Sequence, residues 1–130
     1  MANYPKDLKY SKDHEWARAA GKTVVIGVTD HAQEALGDVV YVELPKVGDA
    51  ITAGSPFGVI ESTKAVSELF APVSGKVIKV NQSLVDSPQT VNQDPYQSGW
   101  IIEVEPSDSK SLDALMDASS YQKMLQDTAE

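Results

Sequence analysis

Lys64 has the most distinctive chemical surroundings in the sequence. It lies in the stretch Glu61-Ser62-Thr63-Lys64-Ala65-Val66-Ser67-Glu68, between two apolar runs. Ser62–Ala65 read as a tight turn between two strands, which projects the lysine side chain into solvent. Glu61 and Glu68 bracket the tip with negative charge, and Ser62, Thr63, Ala65 and Val66 are small or medium and leave it open. A free lysine amine titrates near pH 10.4 and is a poor nucleophile at neutral pH. It needs activation by a partner enzyme, which describes a lysine that is modified rather than one that catalyses. The competing reading is a solvated turn lysine that discourages edge pairing of strands.

The remaining inventory for catalysis is thin. The chain has two histidines, His14 and His31, one arginine, Arg18, and no cysteine. Without cysteine there is no disulfide, thiol nucleophile or thiolate metal site. His14, read on the first strand, and His31, read in a short helix, have no local serine partner for nucleophilic catalysis. No two ligands stand at zinc-site spacing. "AGSPFG" (53–58) holds two glycines but leads into a strand, whereas a phosphate cradle opens a helix. The 130 residues carry 19 acidic and 11 basic side chains, a formal charge of −8. That surface repels nucleic acid and anionic membranes and favours a basic protein partner. No apolar run approaches the ~18 residues of a membrane span. The start, "MANYPKDLKYSKDHEW", has neither an apolar h-region nor an Arg-rich amphipathic pattern. A cytoplasmic protein is expected, although a mature mitochondrial matrix form would read the same way.

The elements that must position Lys64 are mostly short strands. Residues 1–13 are polar and read as a loosely docked arm. "HEWARA" (14–19) and "TVVIGV" (23–28) read as a hairpin turned at Gly21. "TDHAQEALG" (29–37) reads as a helix with Asp30 as N-cap, Gln33 completing a capping box and Gly37 as the stop. "DVVYVEL" (38–44), "FGVIES" (57–62), "AVSELFA" (65–71), "KVIKVN" (76–81) and "WIIEVEP" (100–106) read as strands. Residues 82–99, rich in Pro, Asn, Gln and Ser, read as an ordered loop. Helical spacing returns in 109–117 and 119–127. One domain is expected, with a core over about 14–106 and a helical extension over about 109–127. The predicted class is mainly β, a sandwich or small barrel with a short internal helix and C-terminal helices packed outside.

"ESTKAVSE" followed by "APVSGKV" resembles the attachment hairpin of biotinyl and lipoyl carrier domains. "HEWA" (14–17), "IGVTDHAQEALGDVVYVELPKVGD" (26–49), "APVSGKVIKVN" (71–81) and "VNQDPYQSGWI" (91–101) narrow this to the H-protein family of the glycine cleavage system. The resemblance covers nearly the whole chain, with motifs in family order and spacing. Biotinyl domains carry Met on both sides of the lysine, where Thr63 and Ala65 stand. Lipoyl domains of 2-oxoacid dehydrogenases lack the Trp16 and Pro95-Tyr96…Gly99-Trp100 signatures. The departures are mild: Thr63 replaces a usual valine, and Val66 is larger than the usual small residue.

The resemblance implies a flattened β-barrel/sandwich hybrid of the lipoyl-domain type and a monomeric carrier with no turnover of its own. It implies (R)-lipoate joined as an amide to Lys64. A pyridoxal-phosphate P protein loads the arm with the aminomethyl group of glycine. A folate-dependent T protein unloads it, and a flavin-dependent L protein reoxidises the dithiol. A lipoate ligase or a lipoyl/octanoyl transferase attaches the cofactor. Glu61 and Glu68 are candidates for recognition by that enzyme. Glu15 of the His-Glu-Trp motif is the candidate for docking the loaded, cationic arm, against the alternative of a solvated charge on an edge strand. Trp16 and Trp100 are expected as core or cleft-wall aromatics, and His31 as a helix residue able to line the cleft. An alternative role is a lipoate donor or scaffold that passes lipoyl groups to other carrier domains.

Overall fold

The computed structural model describes residues 4–108 and 111–128. In chain order it has β1 (Lys9–Tyr10), β2 (Glu15–Ala20), β3 (Thr23–Val28), α1 (Asp30–Leu36), β4 (Val39–Glu43), β5 (Ala50–Ile51), β6 (Pro56–Ser62) and β7 (Val66–Phe70). There follow β8 (Gly75–Val80), the short helices α2 (Ser83–Asp86) and α3 (Thr90–Gln93), β9 (Ile102–Pro106), a 3-10 turn (Ser111–Ala114) and α4 (Ala118–Thr128). Two antiparallel sheets result. One has six strands in the order β1-β2-β3-β9-β8-β5, and the other three in the order β4-β6-β7. The expected mainly-β sandwich or partial barrel with helices outside is what the chain forms.

The main core lies between the sheets. Val24, Ile26 and Val28 of β3 enter it, with Val42, Ile60, Leu69, Val77, Ile102 and Val104 from other strands. The six-stranded sheet also buries part of its outer face. There Trp16 and Val25 join Leu8, Tyr10, Tyr96, Ala118 and Tyr121 in an aromatic cluster. Burial on both faces explains why "TVVIGV" is apolar throughout rather than alternating. The turn between β2 and β3 uses a positive φ of 68° at Gly21, which a two-residue hairpin loop demands and glycine supplies cheaply.

Three readings of the sequence change. Residues 1–13 are not a loose arm over the described part: Lys9–Tyr10 pairs with β2, and Leu8 and Tyr10 are buried. A two-residue strand is too short to carry a visible period. Helix α1 is capped by Thr29, whose Oγ1 accepts from the Ala32 N–H at 3.2 Å, and not by Asp30. Asp30 instead accepts from the Gln33 amide at 2.7 Å, so the two residues of the expected capping box bond to each other within the first turn. Residues 82–99 contain α2 and α3, each only four residues long. Gly37 does stop α1, with φ 78° and its N–H bonded to Gln33 O. In the tail the 3-10 turn and α4 match the helical spacing, while residues 109–110 lie outside the described residues.

Close approach, not flexibility, explains the glycines beside the core. A Cβ on Gly58 would stand 2.6 Å from the Glu43 carbonyl oxygen, and one on Gly75 would collide with that of Glu105. A Cβ on Gly27 would stand 2.6 Å from the Trp16 indole. That ring is fully buried and its Nε1–H donates to Pro95 O at 2.9 Å, so it has no room to retreat. Gly27→Ala is therefore expected to destabilise the protein by about 1–3 kcal/mol. Denaturant unfolding measures this, and an unchanged midpoint would contradict the packing described.

Candidate functional site

The Lys64 turn is closed by its own residues. Ser62 N–H donates to Ala65 O at 2.8 Å, and Ser62 Oγ accepts from the Lys64 and Ala65 N–H groups at 3.3 and 3.1 Å. None of the four residues has a positive φ. A serine hydroxyl thus does what left-handed residues do in commoner two-residue hairpins. Lys64 and its neighbours Thr63, Ala65 and Val66 are exposed.

The turn is also tied to the rest of the fold. Thr63 N–H donates to Asp38 O at 3.0 Å. The Lys64 stem lies over Gly37, where an added Cβ would come within 3.2 Å of Lys64 Cε. Asn92 of α3 holds this junction. Its Oδ1 accepts from Val39 N–H at 2.9 Å, and its Nδ2 donates to Gly37 O at 2.8 Å and Gln33 Oε1 at 3.1 Å. One side chain therefore satisfies both the C-terminal end of α1 and the start of β4, the segment against which Thr63 and Lys64 rest.

A cleft of about 340 Å³ opens beside the turn. Val28, Ala32, Leu36, Ile60 and Leu69 give it apolar walls, and Ala65 places the turn at its rim. Its polar groups are Asp13, His14, Glu15, His31, Ser67 and Glu68. The structure thus brings Glu15 and Glu68 into one cleft next to Lys64 and leaves half-buried Glu61 outside it. His31 lines the cleft. Trp16 is fully buried in the aromatic cluster and Trp100 packs against that cluster, so both are core aromatics and neither lines the cleft.

Glu15 is not a solvated edge charge. Its strand lies between β1 and β3, and only 2% of its surface is exposed. Ser11 Oγ donates to Glu15 Oε1 at 2.7 Å and accepts from Glu15 N–H at 3.1 Å. Phe70 N–H approaches Oε2 at 3.4 Å. Burial raises the carboxyl pKa to about 8, against the pull of the Ser11 and Phe70 hydrogen bonds. His14 does not lie in β2 but precedes it, with a left-handed φ of 70°. That conformation is uncommon outside glycine, and here it turns the chain from Ser11 into β2.

The comparisons with known proteins agree with this geometry. A family model described as Glycine cleavage H-protein matches residues 8–128. The chain belongs to the glycine cleavage H-protein family. It is 65% identical over 126 residues to the Glycine cleavage system H protein of Myxococcus xanthus, covering 97% of this chain and 98% of that protein. It is 54% identical over 130 residues to the protein of the same name from Carboxydothermus hydrogenoformans, covering all of both chains. The crystal structure of a glycine cleavage system H protein from Mycobacterium marinum superposes with a TM-score of 0.86 at 42% identity, covering 94% of this chain and 98% of that one. As an H-protein the chain is a carrier subunit of glycine cleavage and not an enzyme, which accounts for its thin catalytic inventory. Membership of the H-protein family also implies a lipoate cofactor and the P, T and L proteins as partners. No helix among the described residues is long and apolar enough to cross a membrane.

Sequence reasoning missed Ser11, Asn92 and the cleft face of His14. Ser11 fell in the segment read as an arm, and Asn92 in the segment read as a loop. Asn92 and His14 act through partners more than fifty residues away, for which the sequence carries no local signal, whereas Ser11 reaches Glu15 only four residues on, through a fold-back that no residue pattern marks.

The Glu15 carboxyl makes the H-protein's stability depend on pH in a definite direction. An acid whose folded pKa exceeds its unfolded value binds its proton more tightly in the fold. Its contribution is full below the unfolded value of 4.5 and is lost as pH rises through about 8. Glu15→Gln is expected to remove this fall. Urea midpoints at pH 5 and pH 9 should therefore differ less in the variant than in the wild type, and equal differences would place Glu15 in water.

Proposed function

We propose that Lys64 carries the lipoyl group as an amide on Nζ, and that the adjacent cleft shelters the loaded arm between visits to partner enzymes. The observation that carries this reading is the position of an exposed lysine at the rim of a cleft with apolar walls and a buried carboxyl. These residues fit the group: the lysine tip is open to an attaching enzyme, and the walls suit a hydrocarbon chain. Bound lipoate supplies a sulfur that takes up and gives back the aminomethyl group of glycine.

The chain's own contribution is to attach, orient and exclude water. Amide formation removes the Lys64 charge and frees the arm to turn about the stem resting on Gly37. The apolar walls displace water from the cargo, which suppresses its hydrolysis. Glu15 supplies the counter-charge. It is largely protonated in the empty cleft, and a cationic cargo draws it to the carboxylate form, which the Ser11 hydroxyl and Phe70 N–H stabilise. Glu68, exposed on β7, adds negative charge to the same cleft. Glu61, outside the cleft, is proposed with Glu68 as a mark read by the attaching enzyme, a lipoate ligase or a lipoyl/octanoyl transferase. The P, T and L proteins are proposed as successive partners, met in the cytoplasm, a setting that the bacterial relatives support.

Intact mass and peptide mapping of protein made in lipoate-replete cells should show one lipoyl increment on Lys64, absent in Lys64→Arg. Unmodified Lys64 in the presence of an active ligase would return it to a plain turn residue. In the loaded protein, Glu15→Ala should leave the lipoyl increment intact and speed loss of the cargo by about 10-fold or more, the effect of removing one charge-assisted hydrogen-bond partner. Decay at the wild-type rate would remove Glu15 from the docking role.

A further inference from the structure

A buried chain of hydroxyls ends on His14. Thr29 is fully buried, and its Oγ1 accepts from the Ala32 N–H at 3.2 Å. The same atom lies 2.8 Å from Tyr121 Oη, which lies 2.7 Å from His14 Nδ1. Tyr121, on α4, is fully buried and stacked on Tyr10 with ring centroids 4.9 Å apart. Each hydroxyl has one proton to give, and this sets the direction of the chain. The Thr29 proton has Tyr121 Oη as its acceptor among the described residues. Tyr121 then gives its own proton to His14 Nδ1. Nδ1 is therefore an acceptor, the ring is neutral and its proton sits on Nε2. Reversing the chain leaves the Thr29 hydroxyl proton buried without a partner, which is costly. Protonating the imidazole forces that reversal.

The other neighbours of His14 are mixed. Asp13, next to it in the chain, favours a charged ring, whereas burial and the His31 ring of α1, 4.7 Å away, oppose one. Glu15 and Glu68 share the cleft that His14 lines. Tyr4 meets the Tyr121 ring edge-on from the N-terminal segment. A charged His14 would place a second cation where the cleft is to receive a cationic cargo.

We propose that Thr29 and Tyr121 are positioning residues whose hydroxyl relay holds His14 as the neutral Nε2–H tautomer, keeping a competing positive charge out of the cleft wall beside Glu15. The purpose of the relay rests on the docking role proposed above, whereas the tautomer does not. Helix α4 thereby acts on the charge of the cleft through one phenol.

The test uses the unlipoylated full chain, so that nothing depends on the arm. Long-range proton–nitrogen NMR spectra read the tautomer and titration midpoint of His14. The wild type should show the Nε2–H form, with a midpoint below the ordinary ~6.5. Tyr121→Phe keeps the ring and removes the donor. It should raise the midpoint by about 0.5–1 pH unit, a roughly 3- to 10-fold gain in proton affinity, and mix the tautomers. Thr29→Val leaves the Tyr121 proton with His14 Nδ1 as its acceptor, so it should keep the Nε2–H form and the low midpoint. Thr29→Ser, which keeps the hydroxyl and the cap of α1, should also behave as the wild type. If Tyr121→Phe does not fold, the wild-type tautomer decides. An Nδ1–H tautomer in the wild type, or an unmoved midpoint in folded Tyr121→Phe, overturns the relay. In the loaded protein, Tyr121→Phe should lose cargo faster as pH falls toward the raised midpoint, while Glu15→Ala should lose it faster at every pH. Unchanged cargo loss in Glu15→Ala would sink the docking role and leave the tautomer result standing.

Discussion

A carboxyl group held out of water at Glu15 is the constraint on which the site depends. Burial pushes a carboxyl toward its protonated form, and hydrogen-bond donors pull it back toward the carboxylate. Ser11 supplies one donor and Phe70 N–H the other, one to each carboxyl oxygen. Ser11 reaches Glu15 because the chain folds back between them. Its N–H donates to Glu15 O, His14 N–H donates to Ser11 O, and His14 takes the left-handed conformation that closes the loop. The same loop brings His14 to the cleft and its Nδ1 to Tyr121. One local fold-back therefore sets the carboxyl, the imidazole and the entry to β2 together.

The pieces outside the sandwich are supports for this arrangement. Tyr10 of β1 exchanges backbone hydrogen bonds with Met116 at 2.8 and 2.9 Å, which fastens the approach to α4. Its ring then stacks on Tyr121, so the N-terminal segment and the C-terminal helix position each other. On the other side of α1, Asn92 ties Gln33 and Gly37 to Val39. Tyr96 Oη accepts from Asp30 N–H at 2.9 Å near the start of the same helix. Helix α1 forms one wall of the cleft and is pinned near both ends by the segment 82–99. A wall held near both ends has less freedom to lose when a ligand binds against it.

Much of this was legible in the sequence. The strands announced themselves through β-branched runs and period-2 alternation, and β3 matched residue for residue because both of its faces are apolar. The Lys64 turn was legible because small polar residues sit between two apolar runs. The thin catalytic inventory was legible by counting. The N-cap of α1 was placed one residue late. Thr29 and Asp30 are both competent caps, and local chemistry alone does not choose between them. The burial of Leu8 and Tyr10 was missed because their partners lie in β2 and α4.

The sequence by itself determined the turn that offers Lys64, the class of fold and the family. These depend on residue type and spacing within short windows. The tertiary structure alone decided which acids matter to the cleft. Glu15, Glu61 and Glu68 are equally acidic on paper, yet burial makes Glu15 a titrating group near neutral pH, the strand path brings Glu68 to the same cleft, and Glu61 lies outside it. It also decided that Thr29, Tyr121 and His14, up to 107 residues apart, form one hydrogen-bonded line. The physical reason is the same in each case. Desolvation and hydrogen-bond partnership belong to a residue's surroundings in space, and most of those surroundings come from distant parts of the chain.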